Sequence, residues 1–165
     1  IGVNAKLIRQ QVLDYSSFGI GSDIGVMYTP SKSFGLGLRI ADATTTQISW
    51  DTGRRESVTP SARLGAMWMR ALPQFDGSLT LAGDANITFE GKTGNTQATI
   101  AGAATDFYLG AEYWYKRSLA VRLGDAAGQM SAGLGVRWNQ LGLDYAFVGH
   151  QDLDSTQRVS AQLQF

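Results

Sequence analysis

Cysteine is absent from the 165 residues, which excludes a disulfide frame, a thiolate metal site and a cysteine nucleophile. Charge is scarce at 17% of residues, against about 25% in typical soluble domains. The 14 basic and 14 acidic residues cancel, so no electrostatic case for nucleic acid arises. Proline occurs three times: Pro30 and Pro73 fall between candidate strands and Pro60 stands at the very start of one. No apolar run approaches the ~18 residues of a membrane helix. That excludes a helical span but not a barrel, whose strands turn half their residues away from lipid. Glycine, by contrast, is abundant: 20 residues, well above its usual share of about 7%.

What the chain has instead is alternation. From Arg158 to Phe165 every odd position is apolar and every even position is polar, the period of a strand with one oily and one wet face. Ala132, Leu134, Val136 and Trp138 alternate with Gly133, Gly135 and Arg137. Leu141, Leu143, Tyr145 and Phe147 alternate with Gly142, Asp144 and Ala146. Phe18, Ile20, Ile24, Val26 and Tyr28 stand against Gly19, Gly21, Asp23 and Gly25 in the same way. Extended along the chain, the pattern predicts about ten strands. These are Gly2–Val12, Phe18–Thr29, Ser33–Ala43, Pro60–Ala71, Ser78–Glu90, Thr105–Tyr115, Leu119–Gly124, Ser131–Asn139, Leu141–Val148 and Arg158–Phe165. No charge interrupts the oily rows of the last three. The expected fold is an all-β, antiparallel, up-and-down transmembrane β-barrel domain over residues 1–165, with the oily rows facing the lipid bilayer. Ile1 is not an initiator methionine, so a removed leader or a longer parent chain is expected.

The longer links follow strands three, five, seven and nine, and the shorter ones follow two, four, six and eight. Outer-membrane barrels keep short turns on the periplasmic side and longer loops outside. This places Thr44–Thr59, Gly91–Ala104 and His150–Thr156 outside. Tyr28, Phe34, Trp68, Tyr113, Tyr115, Trp138 and Phe165 then fall at periplasmic strand ends, as one girdle of aromatic rings at headgroup level. Phe18, Phe89, Phe107, Tyr145 and Phe147 lie towards the other ends.

The hairpin registers follow from charge. Tyr115 opposite Leu119 sets Glu112 against Arg122, and Trp138 opposite Leu143 sets Arg137 against Asp144. A slip of one residue would push these charges to the lipid face, at roughly 2–4 kcal/mol for each midplane arginine. Asp84, Glu112, Arg122, Arg137, Asp144 and Arg158 are expected to form a lumenal charge network. It reads as scaffolding of the inner wall, with a polar constriction or a binding surface for a passenger as the alternative. The many inward glycines read as strand bends, with room for a ligand as the alternative. His150, with Asp152, Asp154 and Ser155 nearby, is too sparse a set for catalysis. Gly91-Lys92-Thr93 lacks the spacing of a phosphate loop. No metal site, cofactor or enzymatic activity is expected.

The run from Leu109 to Gly124, containing Glu112-Tyr113-Trp114-Tyr115, resembles the PorV/PorQ family of outer-membrane barrels. So does the run from Ser131 to Phe165, containing Leu143-Asp144-Tyr145-Ala146-Phe147. The Gly2–Pro30 segment is similar to that family's middle strands. The resemblance implies a bacterial outer-membrane location, FadL-like relatives and missing N-terminal strands, so that the chain is part of a larger barrel. It also implies a role in type IX secretion, docking secreted cargo at the cell surface through the outer loops. A FadL-like channel for hydrophobic small molecules is the alternative it leaves.

Overall fold

The computed structural model describes residues 1–13, 15–89, 96–100, 102–149 and 155–164. Thirteen strands form one antiparallel sheet. They are β1 (Gly2–Val12), β2 (Tyr15–Ser31), β3 (Phe34–Ala41), β4 (Thr46–Trp50), β5 (Arg55–Val58), β6 (Ser61–Leu72), β7 (Gly77–Thr88), β8 (Ala98–Ile100), β9 (Ala103–Tyr115), β10 (Leu119–Ala126), β11 (Gln129–Trp138), β12 (Leu141–Val148) and β13 (Thr156–Leu163). A single 3-10 turn, Pro73–Phe75, links β6 to β7. The order is β13-β12-β11-β10-β9-β7-β6-β3-β2-β4-β5, with β1 on β2 and β8 on β9. Among the described residues β13 pairs only with β12 and β1 only with β2, so the sheet is not closed. No described helix is long and apolar enough to cross a membrane.

Ten of these strands coincide with the ten expected from alternation. The other three, β4, β5 and β8, occupy stretches expected to be connections. After β3 the chain turns at Asp42 and Thr45, both at φ 54°, and the Thr45 N–H donates to Asp42 O at 2.7 Å. It then resumes pairing with β2 as β4, through Ser17↔Trp50 to Ile20↔Gln47.

Two compact units make up the chain: Ile1–Tyr28, Leu36–Gly65 and Ala85–Asp106 in one, Thr29–Gly35, Ala66–Asp84 and Phe107–Phe165 in the other. Burial within each follows the strand period, but inverted relative to a water-soluble sheet. In the first unit Ser17, Gly19, Gly21 and Asp23 of β2 are buried while Phe18, Ile20, Ile24 and Val26 are exposed. In the second, Gly133, Gly135 and Gly142 are buried while Leu134, Val136, Leu143 and Tyr145 are exposed. The buried apolar residues among those described are only Ala103, Ala104 and Ala120. Each large apolar side chain left uncovered in water forgoes about 1.5–3 kcal/mol. Among the described residues no large apolar side chain is buried.

Turn chemistry corrects three expectations. The β9–β10 register is the expected one, with Tyr115↔Leu119 and Glu112↔Arg122. The β11–β12 register lies two residues from the expected one: Trp138 opposes Leu141, Arg137 opposes Gly142, and Gly135 opposes Asp144. The cause is a tight two-residue turn, Asn139–Gln140, with Asn139 at φ 51°, a left-handed position that asparagine tolerates. The link after β10 is also short: Ala127 (φ 52°) and Gly128 (φ 86°) alone join it to β11. Pro30 lies inside the end of β2 rather than beyond it.

Candidate functional site

The polar face carries an ionic cluster in each unit. In the second unit Arg122, from β10, donates through Nε to Glu112 Oε2 at 2.6 Å and through Nη1 to Asp144 Oδ1 at 2.8 Å. Arg137 donates through Nη2 to the other oxygen, Asp144 Oδ2, at 2.7 Å. The Arg137–Asp144 pair forms diagonally across the tighter hairpin, because a shift of two residues leaves both side chains on the same face. The indole of Trp114 lies on this face too, with the Arg122 and Arg137 guanidinium carbons each 5.5 Å from its ring, within cation–π range.

Glycine makes the room. A Cβ at Gly135 would sit 2.8 Å from Asp144 Oδ1 and 3.0 Å from Arg122 Nη1, and one at Gly142 would sit 3.1 Å from Arg137 Nε. The ion bridges thus pass directly over bare backbone, which gives these two glycines a packing role distinct from strand bending.

Of the six residues expected in one network, four meet here. Asp84 is half-buried on β7 and has a partner of its own. Arg158 opposes Ala146 on the exposed strand β13 and joins no ion pair among the described residues. The aromatic residues are mostly exposed on their strands: Tyr28 near the end of β2, Phe34 opening β3, Trp68 on β6, Tyr115 ending β9 and Trp138 ending β11. Tyr113 is half-buried and donates its hydroxyl to Phe75 O at 2.6 Å. Phe165 lies outside the described residues, as do His150, Asp152, Asp154 and the Gly91-Lys92-Thr93 run.

The first unit holds a cluster that sequence reasoning missed. Lys6 Nζ reaches Asp23 Oδ1 at 2.7 Å and Asp42 Oδ1 at 2.5 Å, and Arg39 Nη2 reaches Asp23 Oδ2 at 3.1 Å. The Asp42 N–H donates to Asp23 Oδ1 at 3.0 Å, and Thr46 Oγ1 donates to Asp42 Oδ1 at 2.5 Å. Lys6, Asp23 and Arg39 already stood on polar rows of the sequence pattern. Asp42 fell within the expected strand Ser33–Ala43, in line with the oily row of Phe34, Leu36, Leu38 and Ile40, and only the turn after β3 brings it inward. Thr46 is 1% exposed and rests on Gly21, where a Cβ would lie 1.8 Å from Thr46 Oγ1.

At the end of β4, the Asp51 carboxylate accepts from Ser16 N–H at 2.7 Å and Ser16 Oγ at 3.0 Å. These donors, the backbone N–H foremost, hold its carboxyl below the usual range. A depressed folded value adds stability above the unfolded value, and that stability disappears as pH falls through the folded one. The thermal midpoint of the wild type should exceed that of Asp51→Asn at pH 7, and the gap should close on acidification below about pH 4. A gap independent of pH would remove this role for Asp51.

Among the described residues no group of three or more His, Asp or Glu side chains is gathered as a metal site. The arrangement is chemically a set of neutralised ion pairs on one face of a sheet and an uncovered apolar surface on the other. The chain matches no protein-family model, no curated protein and no solved structure.

Proposed function

We propose that this sheet is wall of a bacterial outer-membrane β-barrel, with its apolar rows against lipid and its ion clusters turned to the barrel interior. One observation carries the reading. The rows of Leu134, Val136, Leu143 and Val159 are exposed while Arg122, Arg137 and Asp144, on the opposite face of the same unit, are half-buried and paired. In water that arrangement wastes apolar area, and in hydrocarbon it satisfies both faces. The role proposed with it is that of a PorV/PorQ-type barrel in type IX secretion, docking secreted cargo at the cell surface. Its support is the likeness of Glu112-Tyr113-Trp114-Tyr115 and Leu143-Asp144-Tyr145-Ala146-Phe147 to that family. The β4–β5 hairpin, with Arg54, Arg55 and Glu56 exposed, is the proposed contact for cargo. A FadL-like conduit would call for an apolar inner lining, and the ionic polar face of the second unit favours docking instead.

Fractionation tests the location. The protein should resist carbonate extraction from outer membranes and run faster on gels before heating than after. Solubility at high concentration without detergent would refute it. Docking is tested separately, with folded protein and a secreted C-terminal signal domain. Recovery should fall when Asp51–Arg54 is replaced by a two-residue turn, and failure of the intact protein to recover the domain would leave a wall without this role.

A further inference from the structure

The apolar face of the first unit ends at a defined row. Residues paired across an antiparallel sheet share a face. Val3↔Ile24 and Leu7↔Ile20 are apolar pairs of β1 and β2. The pair nearer the β4–β5 hairpin is Arg9↔Phe18, and it continues as Phe18↔Ser49 and Ser49↔Arg55. One row, Arg9–Phe18–Ser49–Arg55, therefore crosses four strands on the face of the exposed apolar side chains. On this face β4 turns polar, presenting Gln47 and Ser49, while Ile48 and Trp50 turn to the other side. Neither Arg9 nor Arg55 makes an ion pair among the described residues, and both are exposed. Beside Arg9 a groove of about 460 Å³ is lined by Ser16, Phe18, Ser49 and Asp51, and also by Ser17 and Trp50. Asp51, the one acid there, is already held by the two Ser16 donors.

We infer that this row binds the phosphate of an anionic lipid, an inference that rests on the membrane reading above. Arginine forms charge-assisted bonds to phosphate oxygens, and the Ser49 hydroxyl in the same row supplies a further donor. Phe18 lies in the same row as the arginines, one step from the apolar pair Leu7↔Ile20, so a headgroup seated on the row lays its acyl chains along the apolar strands. Two cations without ionic partners among the described residues, at the rim of a lipid-facing surface, favour a headgroup of net negative charge over a zwitterionic one.

The test uses the full chain folded in detergent and offered equal phosphatidylglycerol and phosphatidylcholine, with retained lipids counted by native mass spectrometry. Phosphatidylglycerol should be retained preferentially. Arg9→Gln and Arg55→Gln should each lower that preference about fivefold. Arg117→Gln, in the turn after β9, should leave it unchanged, and the mobility of unheated protein confirms folding of each variant. Equal retention of both lipids, or a double variant that keeps the preference, overturns the inference while leaving the membrane reading intact. Displacement of the lipid by millimolar inorganic phosphate would overturn the lipid assignment in favour of a free-anion site. A protein that takes up no detergent fails at the earlier step, and the two failures are distinct.

Discussion

Gly21→Ala is expected to destabilise the folded protein by about 3 kcal/mol, the upper range of overpacking at a tight site. A methyl at this position would sit 1.8 Å from Thr46 Oγ1, 2.9 Å from its Cβ and 3.1 Å from its Cγ2. Thr46 cannot swing away cheaply, because it is buried and its hydroxyl donates to Asp42. Displacing it pulls Asp42 from Lys6, so one added carbon disturbs the first ionic cluster as well as the start of β4. Gly37 provides the contrast, since a Cβ there meets nothing within 4 Å. Gly37→Ala should change stability by less than ~0.5 kcal/mol, as at an unencumbered surface position. Denaturant unfolding of the three proteins in one detergent measures both. Equal effects at Gly21 and Gly37 would show that the turn at Asp42–Thr45 does not press on β2.

Arg122→Leu should be nearly as costly, at about 2 kcal/mol. That is below the 3–5 kcal/mol of a fully buried broken pair, because the Arg122, Glu112 and Asp144 side chains keep 31%, 32% and 28% of their exposure and solvent screens them in part. Asp144 would retain Arg137, whereas Glu112 would lose its strongest partner. Adding Glu112→Gln to Arg122→Leu should therefore restore part of the loss, which a double-mutant cycle reads as a coupling energy. The emission of Trp114, with Arg122 beside its ring, should shift in the same variant. Arg158→Gln should do neither, because Arg158 is exposed on β13 and has no ionic partner among the described residues. An Arg158 effect equal to that of Arg122 would mean that the network extends to the edge strand.

These two sites show where the sequence was legible. Alternation alone located ten strands and assigned each side chain a face, because the period of two survives errors in strand ends. The β9–β10 register was also legible, since Glu112 and Arg122 have one arrangement that pairs them. At β11–β12 the alternation was silent: registers two residues apart bury the same face, and only the turn preference of Asn139 separates them. β4 and β5 were missed because their polarity is inverted relative to β2, with Gln47 and Ser49 on the side of Phe18. Asp42 was missed for a related reason. Parity in the expected strand Ser33–Ala43 put it on the oily row, and a local turn carries it to Lys6 instead. Arg158 was the opposite error: its parity put it on the polar face correctly, but parity says nothing of distance from Asp144, which opposes Ser160.

The orientation of the two faces has a direct test, helped by the absence of native cysteine. Single cysteines placed in turn at residues 141 to 147, spin-labelled in the protein reconstituted into lipid, report collision with oxygen, which concentrates in hydrocarbon, and with a water-soluble nickel chelate. Oxygen accessibility should peak at Leu141, Leu143, Tyr145 and Phe147, and chelate accessibility at Gly142, Asp144 and Ala146. The reverse phase, or accessibility without a period of two, would contradict a wall whose apolar rows meet lipid.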